Sequence, residues 1–186
     1  MTADPIPKAR MTVDEFLVWA EGRPGRYELL DGEVIAMLPE RARHALVKFA
    51  AQSALHAAIG RAALPCRMFP DGMTVRIDAA KAYEPDALVH CGPPVDPDAV
   101  EIPNPVILLE VLSPTTRAVD LGSKLVGYFG LPSVEHYLIL DPVGRRVIHH
   151  RRGAGDLIET RIVGDGTLAL DPPGLTLPVA ALFADA

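Results

Sequence analysis

The chain has 186 residues, 49% hydrophobic and 23% charged, with a formal net charge of −6. That length buries a proper core within one domain, and the composition excludes both a long disordered chain and a membrane class. The acidic balance excludes broad electrostatic capture of nucleic acid, while leaving room for a local site in which a divalent ion reverses the sign of the field.

Cys66 and Cys91 stand in no metal-ligand spacing and offer no disulfide framework, so a reduced, cytoplasmic setting is expected. The N-terminus lacks an apolar run of signal-peptide length, and nothing approaches the roughly 20 apolar residues that span a bilayer.

Thr12-Val-Asp-Glu15 predicts a capping box, with Met11 and Phe16 placed as a hydrophobic staple and Val13, Phe16, Leu17 and Ala20 on one face of a short helix. Gly22-Arg-Pro-Gly25 breaks it, and Tyr27 to Met37 reads as two strands joined by an Asp31-Gly32 turn. The alanine-rich stretch from about Ala42 to Ala63, carrying Leu46, Phe49, Ala50, Leu55 and Ile59, predicts the longest helix. Two short strands are expected around Pro70-Asp-Gly72, another from Asp86 to Cys91 and, after a loop rich in Pro and Asp, one from Val106 to Leu112. Pro114 ends that strand. A helix from about Val119 to Phe129 and a strand from Val134 to Leu140 then complete a crossover. Strands from about Arg145 and Ile158, followed by Gly- and Pro-rich turns, make the rest mostly β. The order predicts an α/β fold: a mixed, curved sheet with the long helix on one face and the second crossover helix on the other. One domain over 1–186 is expected, its core from about 11 to 142 and its β-rich tail from about 143 to 186.

The run Val106-Ile-Leu-Leu-Glu110-Val-Leu embeds a carboxylate in an apolar strand, which is costly unless the charge is paired or binds a metal. Asp86 in Glu84-Pro-Asp86 begins another apolar run. If the two strands are neighbours, both carboxylates converge on one magnesium ion, within reach of the Val111 carbonyl; manganese suits the same oxygen donors. Side chains alternate with period two, so the strand position that shares the face of Glu110 is Leu112, which can carry no charge. The following helix offers Asp120, Lys124 and Tyr128 as one stripe, and Lys124 can supply the ammonium that orients the water or balances transition-state charge. The alternative for Lys124 is an exposed ion pair with Asp120. Glu28, beside the Asp31-Gly32 turn, reads either as a support of the site or as a solvated strand residue. His44 reads as a phosphate or proton-transfer group or as an ordinary first-turn residue. Tyr128 reads as packing. Arg145 to Arg152 is the concentrated basic stretch, either a nucleic-acid contact or a solvated hairpin edge. His149 and His150 are adjacent on a strand and make a poor metal pair.

The segments Tyr27-Glu-Leu-Leu-Asp-Gly-Glu-Val, His44 at the opening of a helix, Glu84-Pro-Asp86, Leu109-Glu-Val-Leu-Ser-Pro114, Thr116 to Lys124 with Tyr128, and Val134-Glu-His-Tyr-Leu-Ile-Leu-Asp-Pro142 together resemble the Uma-type putative restriction endonuclease family of the PD-(D/E)XK nuclease superfamily. The resemblance implies a restriction-endonuclease-like core, Asp86 and Glu110 as metal ligands, and Lys124 as the displaced counterpart of the motif's lysine. It also implies hydrolysis of DNA phosphodiester bonds and a homodimer that addresses two strands. Leu112 departs from the superfamily pattern. That departure and the acidic balance speak for a rival, an inactive nuclease-fold module that binds nucleic acid or protein; a third reading is a metal-dependent hydrolase of a small phosphorylated molecule.

Overall fold

Local signals fix the first elements of the computed structural model, which describes residues 9–113 and 121–184. The Thr12 hydroxyl accepts the Glu15 N–H at 3.3 Å while the Glu15 carboxylate accepts the Thr12 N–H at 2.8 Å, so helix α1 (Val13–Ala20) starts on a complete capping box. Strands β1 (Tyr27–Leu30) and β2 (Glu33–Ala36) pair antiparallel across Asp31 and Gly32. Their φ angles of 52° and 81° are both in the left-handed region that a tight two-residue hairpin turn requires.

Helix α2 (Ala42–Ala62) buries Val47, Ala51, Leu55, Ala58 and Ile59 along one stripe. Leu46 and Phe49, apolar residues of the same run, lie off that stripe and are 44% and 67% exposed. Strands β3 (Cys66–Pro70) and β4 (Val75–Asp78) flank Pro70-Asp-Gly72 as expected but belong to different sheets. β3 pairs with β6 (Ala87–Cys91), and β4 pairs with β5 (Lys81–Tyr83), a three-residue strand with no clear signal in the sequence. The chain therefore changes sheets at Asp71, which lands beside α2.

Strand β7 (Pro105–Val111) precedes helix α3 (Ser123–Gly130), β8 (His136–Asp141), β9 (Arg146–Arg152) and β10 (Ile158–Val163). These strands form a six-stranded sheet of order β10-β9-β8-β7-β6-β3, in which β7 and β8 are parallel and the other pairs antiparallel. A separate four-stranded antiparallel sheet has the order β2-β1-β5-β4. The α/β architecture is the one expected, with the strands of the described residues divided among three sheets, the third a two-stranded hairpin near the C-terminus. The expected helix start near Val119, Asp120 and the strand stop at Pro114 lie outside the described residues.

Alternation along β7 and β8 assigns the two faces of the larger sheet. Leu109, Val111, Leu138 and Leu140 pack with the α2 stripe, whereas Leu108, Leu112, Tyr137 and Ile139 pack with Tyr128 and Phe129 of α3. The hairpin of β11 (Thr167–Leu170) and β12 (Leu175–Pro178), with the turn Val179–Phe183, closes the α2 side through Leu168, Leu170, Leu175, Leu177, Val179, Leu182 and Phe183. The β-rich tail thus supplies part of the core. No helix among the described residues is long and apolar enough to cross a membrane.

Register also joins the two cysteines. Cys66 faces Cys91 across β3 and β6, and the structure links them as a disulfide, correcting the expectation that no such bridge is present. Their 25-residue separation gave no hint of it; only strand pairing brings them together.

Candidate metal-binding and catalytic site

Leu109 of β7 faces Ala87 of β6, the last pair of that ladder, and Glu110 and Asp86 are the next residues on the two chains. Both are almost fully buried, at 5% and 4% exposure. Asp86 Oδ2 accepts the Val111 N–H at 2.7 Å, so its carboxylate is fixed to the backbone one residue beyond Glu110.

Glu110 shares its strand face with Leu108 and Leu112 and therefore meets α3. Its Oε1 accepts from Lys124 Nζ at 2.8 Å and from the Tyr128 hydroxyl at 2.8 Å. Lys124 and Tyr128 are i and i+4 on α3, one above the other. Lys124 is 3% exposed, which removes the surface ion-pair alternative. Its ammonium also lies 2.8 Å from Glu28 Oε1, and that oxygen accepts the Glu84 N–H at 2.8 Å. Glu28 thus reaches from the smaller sheet into the site. Tyr128 packs edge-on against Tyr83 and Tyr137 as well, so it combines core packing with a polar contact.

The other half comes from α2. His44 Nε2 donates to the Val111 carbonyl at 2.9 Å and lies 3.5 Å from Asp86 Oδ2, while Nδ1 lies 3.4 Å from Glu40 Oε2. Ligand atoms of Glu40, His44 and Asp86 all fall within 4.8 Å of one another. One turn on, the Lys48 ammonium bonds Glu40 and Asp71, the latter at 2.9 Å, and lies 3.9 Å from Asp86 Oδ1. Arg26 spans the mouth, 2.7 Å from Asp71, 3.2 Å from Glu40 and 2.6 Å from Glu84.

Burial pushes the Asp86 carboxyl above its ordinary range, opposed by His44, the Val111 N–H and Lys48. Burial likewise raises Glu84 against the pull of Arg26. For Glu40 and Asp71 burial acts upward too, yet the bonds from Lys48 outweigh it and hold both below the usual carboxylate range. Burial would lower Lys48, but Glu40 and Asp71 raise it, so the ammonium stays charged. Burial and then Glu110 push the Tyr128 phenol well up, which keeps it a neutral donor.

Of the residues singled out in the sequence, Lys124 meets Glu28 and Glu110, while His44 meets the Val111 carbonyl and Asp86; the Val111 backbone, one residue beyond Glu110, is what links the two sets. Sequence reasoning missed Arg26, Glu40, Lys48 and Asp71, which read individually as solvated charges. The spacing of Glu40, His44 and Lys48, each four residues from the next across the start of α2, was the available signal.

The basic run lies elsewhere. β9 is interior to its sheet, not an edge. Arg152 donates to the carbonyls of Phe129, Leu131 and Val134, Arg145 to that of Phe183 and Arg151 to that of Asp171. His149 bonds His136 at 2.9 Å, and His150 bonds Thr160. These residues tie loops to the sheet.

The sequence matches the family described as "Uma2: Putative restriction endonuclease" over residues 13–180. It is 26% identical over 183 residues to the uncharacterized protein slr1290 of Synechocystis sp. (strain ATCC 27184 / PCC 6803 / Kazusa), covering 96% of this chain and 93% of the relative. It is also 26% identical over 159 residues to sll1609 of the same organism, covering 83% and 89% of the two chains. The fold is shared with a crystal structure described as "a putative nuclease belonging to DUF820" from Anabaena variabilis ATCC 29413. The TM-score is 0.74 at 18% identity, over 94% of this chain and 98% of that one.

Proposed function

The chain belongs to the Uma2 family, "Putative restriction endonuclease", and from that premise we propose that it is a magnesium-dependent endonuclease that hydrolyses phosphodiester bonds in DNA. The observation that carries the reading is charge. Six carboxylates, from Glu28, Glu40, Asp71, Glu84, Asp86 and Glu110, form one contiguous network with only three permanently charged partners among the described contacts, Arg26, Lys48 and Lys124. A surplus of negative charge in a largely buried space favours a divalent cation.

Asp86, Glu110 and the Val111 carbonyl are hard oxygen donors of the kind magnesium takes, and manganese suits them too. The fit is supported by what already lies among them. The His44 ring N–H sits against the Val111 carbonyl and beside Asp86, and the Lys124 ammonium sits on Glu110, so protein donors mark the places that favour positive charge. A bound divalent ion supplies Lewis acidity at a phosphoryl oxygen and lowers the pKa of a water. Lys124, anchored by Glu28 and Glu110, holds its ammonium where it can orient the attacking water or balance transition-state charge. His44, bonded to the Val111 carbonyl, is the group that would meet phosphate or transfer a proton. Leu112 packs in the apolar cluster on the α3 side, leaving the ammonium to come from the helix.

A DNA backbone has a place to rest. Arg41 and Arg43 are exposed at the start of α2, whose first turn holds no acidic residue and whose N-cap makes no side-chain bond. The positive end of the helix and two guanidinium groups thus stand next to His44. A homodimer would bring two such sites to two strands.

The test is cleavage of supercoiled plasmid with magnesium or manganese. Nicked and linear products are expected with the parent chain and not after Asp86→Ala, Glu110→Ala or chelation. DNA binding without cleavage would favour the inactive module, and turnover of nucleotides alone would favour the small-molecule hydrolase.

A further inference from the structure

The Lys48 ammonium stands among oxygens of Glu40, Asp71 and Asp86, carboxylates that arrive from the segment before α2, the crossing between β3 and β4, and the residue before β6. Lys48 itself is 9% exposed and sits on the same helix as His44. Three acidic oxygens from separate parts of the chain around one point of positive charge is the donor arrangement of a hard-cation site, with the cation supplied by the protein. Lysine suits the position because its charge is compact. Arg26 reaches two of the same oxygens from outside, but its planar fork spreads the charge over a wider area.

We propose that Lys48 is a resident cation that occupies the place of a second divalent ion, so that the protein binds one divalent ion per chain where its carboxylates would otherwise hold two. The proposal rests on the reading of Asp86 and Glu110 as metal-binding. It assigns Lys48 a positioning role: it draws Asp86 Oδ1 toward itself, and leaves Oδ2 to the Val111 N–H and His44. Removing the ammonium takes one positive charge from three carboxylates that repel one another, leaving Arg26 on Glu40 and Asp71 and His44 beside Asp86. Divalent ions then bind where the charge was lost.

The experiment is calorimetric titration of the full chain with manganese chloride, paired with thermal unfolding with and without the metal. The parent chain is expected to bind one equivalent. Lys48→Met and Lys48→Gln should bind two, melt lower without metal, and gain more on adding manganese than the parent does. Lys48→Arg, which keeps the charge, should stay at one. Two equivalents in the parent, or no more equivalents in the neutral variants than in the parent, overturns the proposal. If either neutral variant is unfolded without metal, refolding read by circular dichroism against added manganese gives the same count. The two readings fail differently. One equivalent in both parent and neutral variants removes only the role of Lys48. No binding by the parent with one equivalent in the neutral variants removes the Asp86 and Glu110 reading and leaves Lys48 as a cation surrogate. No binding in any chain removes both.

Discussion

Glu110 is held in its apolar strand by two donors that meet the same oxygen, the Lys124 ammonium and the Tyr128 hydroxyl. Removing one partner of a buried pair leaves an uncompensated charge, at a cost of about 3–5 kcal/mol, whereas losing one neutral hydrogen bond costs about 1–2 kcal/mol. Lys124→Met is therefore expected to lower the unfolding free energy by about 3 kcal/mol or more, and Tyr128→Phe by about 1–2 kcal/mol, both read from urea unfolding. Manganese should recover part of the loss in Lys124→Met, because a divalent ion can balance Glu110 and Glu28 in its place. A Lys124→Met chain as stable as the parent in metal-free buffer would contradict the buried pairing.

At the scale of elements, the site is where four of them meet: the start of α2, the facing ends of β6 and β7, and the inner side of α3. The start of α2 brings His44 to the Val111 carbonyl and leaves Arg41 and Arg43 pointing outward. Each phosphate contact contributes roughly one unit to the salt dependence of duplex binding. Arg41→Ala with Arg43→Ala is expected to weaken DNA binding and lower the salt slope by about 2, with manganese binding unchanged. An unchanged slope would remove this helix end from the interface. What was legible in the sequence divides along the same lines. The capping box of α1, the Asp31-Gly32 turn and the apolar run around Glu110 each carry their reason within a few residues, so they could be read. β5 is three residues long, and the split of β3 and β4 between sheets depends on partners far along the chain. Glu40 precedes α2, Lys48 lies on it and Asp71 follows β3, and only folding brings the three charges into a cage. The basic run was legible as charge but not as structure, because its arginines end on backbone carbonyls of loops that sequence alone does not place beside it.

Over the whole molecule, the two helices on opposite faces of the larger sheet act from both sides on its β6 and β7 ends, and the C-terminal hairpin holds α2 in place through the shared core. Far from the site, His136 and His149 bond each other at 2.9 Å, and the other ring nitrogen of His136, Nε2, donates to the Pro172 carbonyl at 2.9 Å. Burial lowers both rings to about 4, with the nearby Arg151 and each other's charge acting in the same direction on His149. An unfolded imidazole titrates near 6.5, so the neutral ring is the folded form. The stabilisation is fully present above about pH 6.5 and is lost as pH falls toward 4. Either ring alone accounts for roughly 3 kcal/mol at the limit, and the pair for less than twice that because they share one bond. Urea unfolding at pH 7 and pH 4.5 should show the drop, and His149→Leu should flatten it. A parent chain equally stable at both values would contradict the buried neutral pair.

The central claim is that folding gathers Asp86, Glu110 and the Val111 carbonyl around one divalent ion. Anomalous scattering from a crystal soaked in manganese measures this most directly. The account predicts a peak within bonding distance of both carboxylates and of the Val111 carbonyl. No peak in the site, or a single peak held by Glu40 and His44 with Glu110 still closed on Lys124 and Tyr128, would contradict it.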